Sequence, residues 1–542
     1  LRAERLGADL GRERIEHRRR RGRRRDPAMV AADEEGDAAG AVACEPVRVE
    51  ATAGQASQLL RVRDEVDSAV LVPPASPHLR DCRARPTPRE LVRSNCRIWI
   101  FGVDQVGGTL RVMQTPPFPV AAVREARQET RGVVSSAPTM TTSAELLATA
   151  SKRLYPNYKP APIVLARGRG CEVFDVEGRR WLDLAAGVAV CAVGHAHPTL
   201  ASVIAEQSAR LLHVSNYFFN EENIRLADEL CAKSGFDRAF FCNSGAEANE
   251  ALFKLARRHF HAKGESRLKI IAFHNAFHGR TMGALSMTGT PKYREGFGAV
   301  NGVAHVAYGD LDAVKKEMGK DVAAVIVEPV QGEGGVLPPP AGFLAALRAL
   351  CDEHGSLLLC DEVQTGIGRL GRWFGFQGTG AKPDAISLAK GMGGGFPIGA
   401  MLTTEALAGA LPPGTHGSTF GGNPLACAAS RAVLRILEQE NLVEGAKQKG
   451  ERLGAMLASL ARELPAICEG ERGEGLLRGL VLKPGFVVRD ILPRLAEAGV
   501  LLTAAGERVL RFSPPLVVTD AELAEGVAAV RKVLEALPAA AA

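Results

Sequence analysis

Leu357-Leu358-Leu359-Cys360-Asp361-Glu362-Val363-Gln364 and Ala385-Ile386-Ser387-Leu388-Ala389-Lys390 decide how the rest of the chain reads. Each is a short apolar run that ends in functional groups. Glycines follow close behind, at Gly366 and Gly368 in one case and at Gly391, Gly393, Gly394 and Gly395 in the other. Such runs predict buried strands. In open α/β sheets, ligands collect beyond the carboxyl ends of the strands, which is where Asp361 and Lys390 would stand. Lys390 could form an imine there, with Asp361 as its electrostatic support. A lone lysine is usually a solvated amine, and an Asp after a strand usually caps a turn. The other strand ends have to settle the matter.

Three more runs behave the same way. Ala239–Cys242 leads into Asn243-Ser244-Gly245-Ala246-Glu247, where a helix opens with Ala248, Ala251, Leu252 and Leu255 along one face. A helix N-terminus after Ser-Gly offers free backbone N–H groups and a positive dipole end to a phosphate. Lys269–Phe273 leads into His274-Asn275-Ala276-Phe277-His278-Gly279-Arg280. There Phe277 could cover a planar ring and Arg280 could grip a carboxylate with two bonds. Ala323–Val327 leads into Glu328-Pro329-Val330-Gln331-Gly332-Glu333. Five strand ends carrying polar groups with glycine nearby point to a single site.

At 542 residues with 46% hydrophobic side chains, the chain is long enough for two or more domains with buried cores. No apolar run is long enough for a transmembrane helix, so no membrane partner is expected. Eleven cysteines occur without a C-x-x-C pair, which argues against zinc or disulfide frameworks and predicts small core residues in a reducing compartment.

Charge is uneven. Residues 1–139 hold 24 arginines, no lysine and 19 acidic side chains, a net of +5 out of the chain's +6. The Arg18–Arg21 and Arg23–Arg25 block reads as a nucleic-acid or membrane-surface arm, while Glu4, Asp9, Glu13 and Glu16 disfavour a transit peptide. The expectation for 1–139 is an Arg-rich extension of low order, of the composition that translated GC-rich upstream DNA would have. Met140 then opens an ordinary soluble start.

Val164–Leu184 reads as a small β-meander, and from Leu200 the positions Val203, Ile204, Leu211 and Leu212 fit one helix face. His195-Ala196-His197 has no partner cluster and is not taken as a metal site. Gly366-Ile367-Gly368-Arg369-Leu370-Gly371 matches a dinucleotide fingerprint, but no helical pattern follows it, so that fold is rejected. After Pro424 come a helix, strands at Gly475–Leu482 and Val509–Phe512, and a last helix opened by the capping box Thr519-Asp520-Ala521-Glu522. These suggest a smaller α/β domain that delivers Arg511.

Taken together, Gly187–Pro198, Asn243–Asn249, Phe277–Thr281, Glu328–Gly335, Asp361–Gly368, Ser387–Gly399 and Gly417–Pro424 closely resemble the class III pyridoxal-phosphate aminotransferases, over about residues 150–537. Within that family the acetylornithine type is the nearest likeness. The resemblance implies fold type I: an α/β architecture with a mostly parallel central sheet flanked by helices and a smaller α/β domain. Expected bounds are 140–200 for the N-terminal segment of the small domain, 201–424 for the large cofactor domain and 425–542 for the rest of the small domain.

It implies roles as well. Lys390 would hold pyridoxal phosphate covalently and shuttle the proton, and Asp361 would pair with the pyridine nitrogen. Gln364 would bond the phenolic oxygen, Val363 and Phe277 would enclose the ring, and Glu362 would join this cofactor set. Gly245 and Ala246 would bind the phosphate through backbone N–H groups, with Thr419 reaching it from the other subunit of a homodimer. Substrates would meet Arg280, Ser418, Glu333 and Arg511, with Glu333 neutralising Arg511 when the donor presents a terminal amine. Cys191 stands where the family pattern has Asn, which leaves the acyl preference open. The implied activity is cytoplasmic transamination of N-acetylornithine with 2-oxoglutarate in arginine biosynthesis. The alternatives are another ω-aminotransferase, on ornithine, N-succinyl-diaminopimelate or 4-aminobutyrate, or nucleic-acid binding by the Arg-rich arm.

Overall fold

The computed structural model describes residues 142–538, together with Gln105–Val106 and Thr109–Leu110, which pair antiparallel. Beyond that short ladder, what was expected of residues 1–139 lies outside the described residues.

The main body begins with helix α1 (Ser143–Arg153), capped where Thr142 accepts a bond from the Glu145 amide. Strands β1 (Leu165–Arg169), β2 (Glu172–Asp175) and β3 (Arg180–Asp183) then form the antiparallel meander. Helix α2 (Pro198–Ser208) stops short of expectation. Leu211 and Leu212 fall beyond it and are exposed, because the Gln207 side chain folds back to donate to the Leu211 carbonyl and closes the last turn.

The large sheet follows in chain order as β4 (Arg238–Cys242), β5 (Lys269–Phe273), β6 (Val303–Val306), β7 (Val322–Val327), β8 (Leu357–Asp361), β9 (Ala385–Leu388) and β10 (Gly399–Thr403). Their order across the sheet is β4-β10-β9-β8-β7-β5-β6, and β10 alone runs against the others. All residues of β7, β8 and β9 are buried, as continuous apolar runs require when both faces are covered. Register decides where the site forms. Ile271 lies opposite Val325, Cys360 opposite both Val327 and Ile386, and Asp361 opposite Ser387. The carboxyl ends of β5, β7, β8 and β9 are therefore level along one edge. Cys242 of β4 sits opposite Gly399, so the turn carrying Ser244 and Gly245 joins the same edge.

Two smaller four-stranded sheets complete the body. Val500–Leu501 adds to the meander in parallel with β3, which joins chain segments more than 300 residues apart. Cys468–Glu474, Leu477–Leu482, Thr503–Ala505 and Val509–Phe512 form the other sheet and place Arg511 on its buried face. The last helix, Asp520–Glu535, starts at Thr519 with a complete capping box and buries Leu523, Val527, Val530 and Leu534. Gly366–Gly371 is followed by turns rather than a helix. His195 and His197 each face a carboxylate, Asp183 and Glu440. Among the described residues no helix is long and apolar enough to cross a membrane.

Candidate active site

The level strand ends enclose a cavity of about 380 Å³. Gly245, Ala246, Phe277, Arg280, Glu333, Asp361, Val363, Gln364 and Lys390 all line it, with Val190, Asn249, His278 and Glu328 among their neighbours. Lys390 has φ of +43°, a left-handed backbone that costs a non-glycine residue on the order of 1–3 kcal/mol and is tolerated where function demands it. Burial lowers its pKa, partly offset by the negative charge of Glu333. That makes a neutral amine easier to reach near neutrality.

Asp361 is almost fully buried. Its Oδ2 accepts from His278 Nδ1 and Asn249 Nδ2, both at 2.7 Å, and its Oδ1 accepts from the Val363 amide at 2.9 Å. Burial opposes its ionisation, but the His278 bond and charge, helped by the two amide donors, outweigh burial and hold the carboxyl below its ordinary range. The Ser387 hydroxyl lies 2.7 Å from Asn249 Oδ1 and 3.4 Å from Asp361 Oδ1. Its single proton goes to the shorter contact, which leaves one acceptor position on Oδ1 for an incoming N–H.

Helix Gly245–Ala262 supplies the anion cradle. Ser244 caps it by accepting from the Glu247 amide, and among the described residues the Gly245 and Ala246 amides donate to no protein acceptor. A Cβ at Gly245 would come within 2.7 Å of Val363 Cγ1, so only glycine lets the cradle and the Val363 wall meet.

Arg511 is 2% exposed, bonds Glu333 through Nη1 and bonds Thr503 Oγ1 through Nε at 3.0 Å. It reaches the cavity wall through Glu333 and Gln364 rather than lining the cavity itself. Arg280, by contrast, has no carboxylate within bonding distance among the described residues. Ser418 stands one residue removed, where its Oγ accepts from Asn243 Nδ2 at 3.1 Å, and Thr419 is exposed.

Glu362 departs from expectation. Its carboxylate turns away from the cavity and accepts from Thr365, the Gly375 amide and the Phe376 amide. Through those bonds it holds the 375–376 turn, and it does not line the cavity. His278, Asn249 and Glu328 were missed as site residues. The available signal for His278 was its position in the same strand end as Phe277.

A lysine, a buried anion with one acceptor position left and a free-amide cradle around one cavity match a narrow set of proteins. The aminotransferase class-III family profile matches residues 154–534. An acetylornithine aminotransferase of Myxococcus xanthus is 49% identical over 72% of this chain and 98% of its own length. This chain belongs to the class III aminotransferases. A Pseudomonas aeruginosa succinylornithine transaminase/acetylornithine aminotransferase is 46% identical over 69% of this chain and 93% of its own. Among solved structures, the N-acetylornithine aminotransferase of Stenotrophomonas maltophilia is 38% identical, with a TM-score of 0.63, over 72% of this chain and 98% of that one. The Toxoplasma gondii ornithine aminotransferase is 33% identical, with a TM-score of 0.70, over 78% and 98%.

As a class III aminotransferase the chain is a pyridoxal-phosphate-dependent transaminase. The residues present fit that cofactor, because the cradle suits its phosphate and the remaining acceptor position on Asp361 suits a pyridinium N–H. When bound, the cofactor supplies an aldehyde that condenses with amines and a ring that withdraws electrons from the neighbouring carbon.

Proposed function

We propose that this chain transfers the terminal amino group of N2-acetyl-L-ornithine to 2-oxoglutarate, giving N-acetyl-L-glutamate 5-semialdehyde and glutamate, within arginine biosynthesis in the cytoplasm. The observation that carries this reading is the contrast between two arginines. Arg511 is neutralised by Glu333, while among the described residues Arg280 has no carboxylate partner. A donor that presents one carboxylate and a distant amine needs a single cationic receptor and a neutral surface near the reacting end. A dicarboxylate needs two receptors, and swinging Glu333 aside would expose the second. The relatives at 44–49% identity named for acetylornithine support the acylated donor over free ornithine.

In this reading Lys390 carries the cofactor and moves a proton at Nζ. Asp361, kept anionic by His278 and Asn249, holds the proton on the ring nitrogen. Gly245 and Ala246 hold the phosphate, Val363 and Phe277 enclose the ring, and Gln364 bonds its phenolic oxygen. The site belongs to a homodimer. Thr419 is exposed, beside the exposed Phe420, and Tyr217, Phe218 and Phe219 also project outward, a large apolar area of the kind that marks an interface. Asn216 ties the two segments by donating to the carbonyls of Ser418 and Gly421.

The test is a visible spectrum of the purified protein before and after addition of N-acetylornithine, N-succinylornithine, ornithine or 4-aminobutyrate. N-acetylornithine is expected to discharge the absorbance of the lysine-bound cofactor at the lowest concentration. Faster discharge by an unacylated donor would overturn the substrate assignment, and no chromophore with added cofactor would overturn the mechanism.

A further inference from the structure

Arg280 owes its place to a residue outside the motifs. Its Cζ lies 4.1 Å from the centroid of the Tyr293 ring and 5.5 Å from that of Phe277. The two rings meet edge to face, 5.9 Å apart at 86°. Tyr293 arrives on a short helix, Pro291–Arg294, whose approach is pinned where the Gly289 amide donates to the Ala276 carbonyl at 2.8 Å. Gly289 is needed for that approach, because a Cβ there would lie 2.0 Å from the Phe273 carbonyl oxygen. The turn after β5 and the segment 289–293 are thus locked side by side, one carrying the guanidinium and the other the ring beneath it.

We propose that Tyr293 is a positioning residue of the carboxylate site. Its ring face holds the Arg280 guanidinium in one orientation and so sets the preference for donors that carry a carboxylate at the far end from the reacting amine. The proposal rests on Arg280 being the carboxylate receptor. A guanidinium on a flexible stem must be ordered before it can grip a carboxylate with two bonds, and ordering it in the free enzyme removes that cost from binding. An aromatic face can do this without competing for the N–H donors, because the attraction is to the ring quadrupole rather than to a lone pair. A carboxylate partner would hold Arg280 equally firmly but would neutralise it. Among the described residues the Tyr293 hydroxyl makes no hydrogen bond to the protein, so the ring face, and not the hydroxyl, carries the role.

The experiment compares Tyr293→Leu, Tyr293→Phe and Arg280→Gln holoenzymes on two donors, with 2-oxoglutarate saturating. One donor is N2-acetylornithine. The other is mono-N-acetyl-1,4-diaminobutane, which keeps the acyl group and the terminal amine but lacks the carboxylate. Tyr293→Leu is expected to raise KM for N-acetylornithine about tenfold, with kcat within about threefold. It should leave kcat/KM for the diamine and the cofactor spectrum unchanged, and Tyr293→Phe should behave as wild type. Equal losses on both donors, an unchanged KM for N-acetylornithine, or a Tyr293→Phe enzyme as impaired as Tyr293→Leu would each overturn the proposal. Should Tyr293→Leu not fold, Tyr293→Met, whose unbranched side chain adapts to the space without a ring, carries the same expectations. Arg280→Gln separates the two levels: if it leaves the KM for N-acetylornithine unchanged, the carboxylate-receptor reading itself fails, whereas a raised KM there with no effect at Tyr293 sinks only the present inference.

Discussion

His278 Nδ1 lies 2.7 Å from Asp361 Oδ2, with both side chains almost fully buried. An ionised carboxylate can only accept, so the imidazole must donate, and its Nδ1 proton helps fix the negative charge on Asp361. Removing that charge is the sharpest test of the pair. Asp361→Asn keeps the shape but leaves no anion opposite the ring nitrogen. Activity should fall by about two to three orders of magnitude, as when a preorganised electrostatic partner is lost. The fall should appear in kcat, together with a shift in the pH titration of the cofactor's absorbance. An Asp361→Asn enzyme with an unmoved titration would remove Asp361 from this role.

Glu328 shares the pocket and behaves in the opposite way. Burial, reinforced by the nearby Asp361 charge and countered by His278, pushes its pKa up to about 7. The folded protein then binds a proton that the unfolded chain has released. Stability of protein stripped of cofactor should therefore decline as pH rises from about 4.5 to about 7. His278 adds to the same trend. Burial lowers its pKa, but its Asp361 partner more than compensates, so its folded value is raised, and that stabilisation fades as pH climbs through it. Urea melts across this range should show the decline, and Glu328→Gln should flatten part of it. Identical pH profiles for the two proteins would contradict a buried, proton-retaining Glu328.

The strand ends were legible because chemistry and glycine there interrupt apolar runs, and parallel register then forces those ends level. Asp361, Lys390, Gly245 and Arg280 could all be found that way. Leu211 and Leu212 were misread because helical spacing continues past Ser208, and the Gln207 side chain that ends the helix is invisible to periodicity. Glu362 stands outside the cavity lining although Asp361 and Val363 belong to it, because the pleat sends neighbouring side chains to opposite sides. Tyr293 was out of reach, since its partner Arg280 is 13 residues away and only the Gly289 approach brings the two together.

Gly245 can be tested through its neighbour. A methyl group at this position would press on Val363, so Gly245→Ala should cost roughly 1–3 kcal/mol by overpacking and should weaken cofactor retention. Trimming the wall in the double variant Gly245→Ala/Val363→Ala should recover part of the stability. Thermal melts of the four proteins form a double-mutant cycle. Strict additivity would show that the Val363 contact is not what requires glycine there.

Glu333 and Arg511 form the ion pair on which the proposed two-substrate reading depends. Glu333→Gln leaves the Arg511 cation without its carboxylate partner, which suits glutamate but places an uncompensated cation beside an amine-ended donor. Single-turnover rates should fall about tenfold or more for the N-acetylornithine half-reaction, in line with loss of a charge-assisted partner, and much less for glutamate. Equal losses in both halves would mean that Glu333 supports the site without switching it.

Thr419 tests whether the site is shared between subunits. In the proposed dimer, each cofactor meets Lys390 from one subunit and Thr419 from the other. Thr419→Ala should weaken cofactor retention about tenfold, the order expected for one hydrogen bond to a charged group. Lys390→Ala should be inactive by itself. Co-expressing the two variants yields hybrid dimers in which the Thr419→Ala subunit supplies the lysine and the Lys390→Ala subunit supplies the threonine. Random pairing makes about half the dimers hybrid, each with one intact site, so about a quarter of wild-type activity should return at limiting cofactor. If Thr419 instead served its own subunit, each hybrid site would lack one of the two groups. Activity would then stay at the mean of the separate variants.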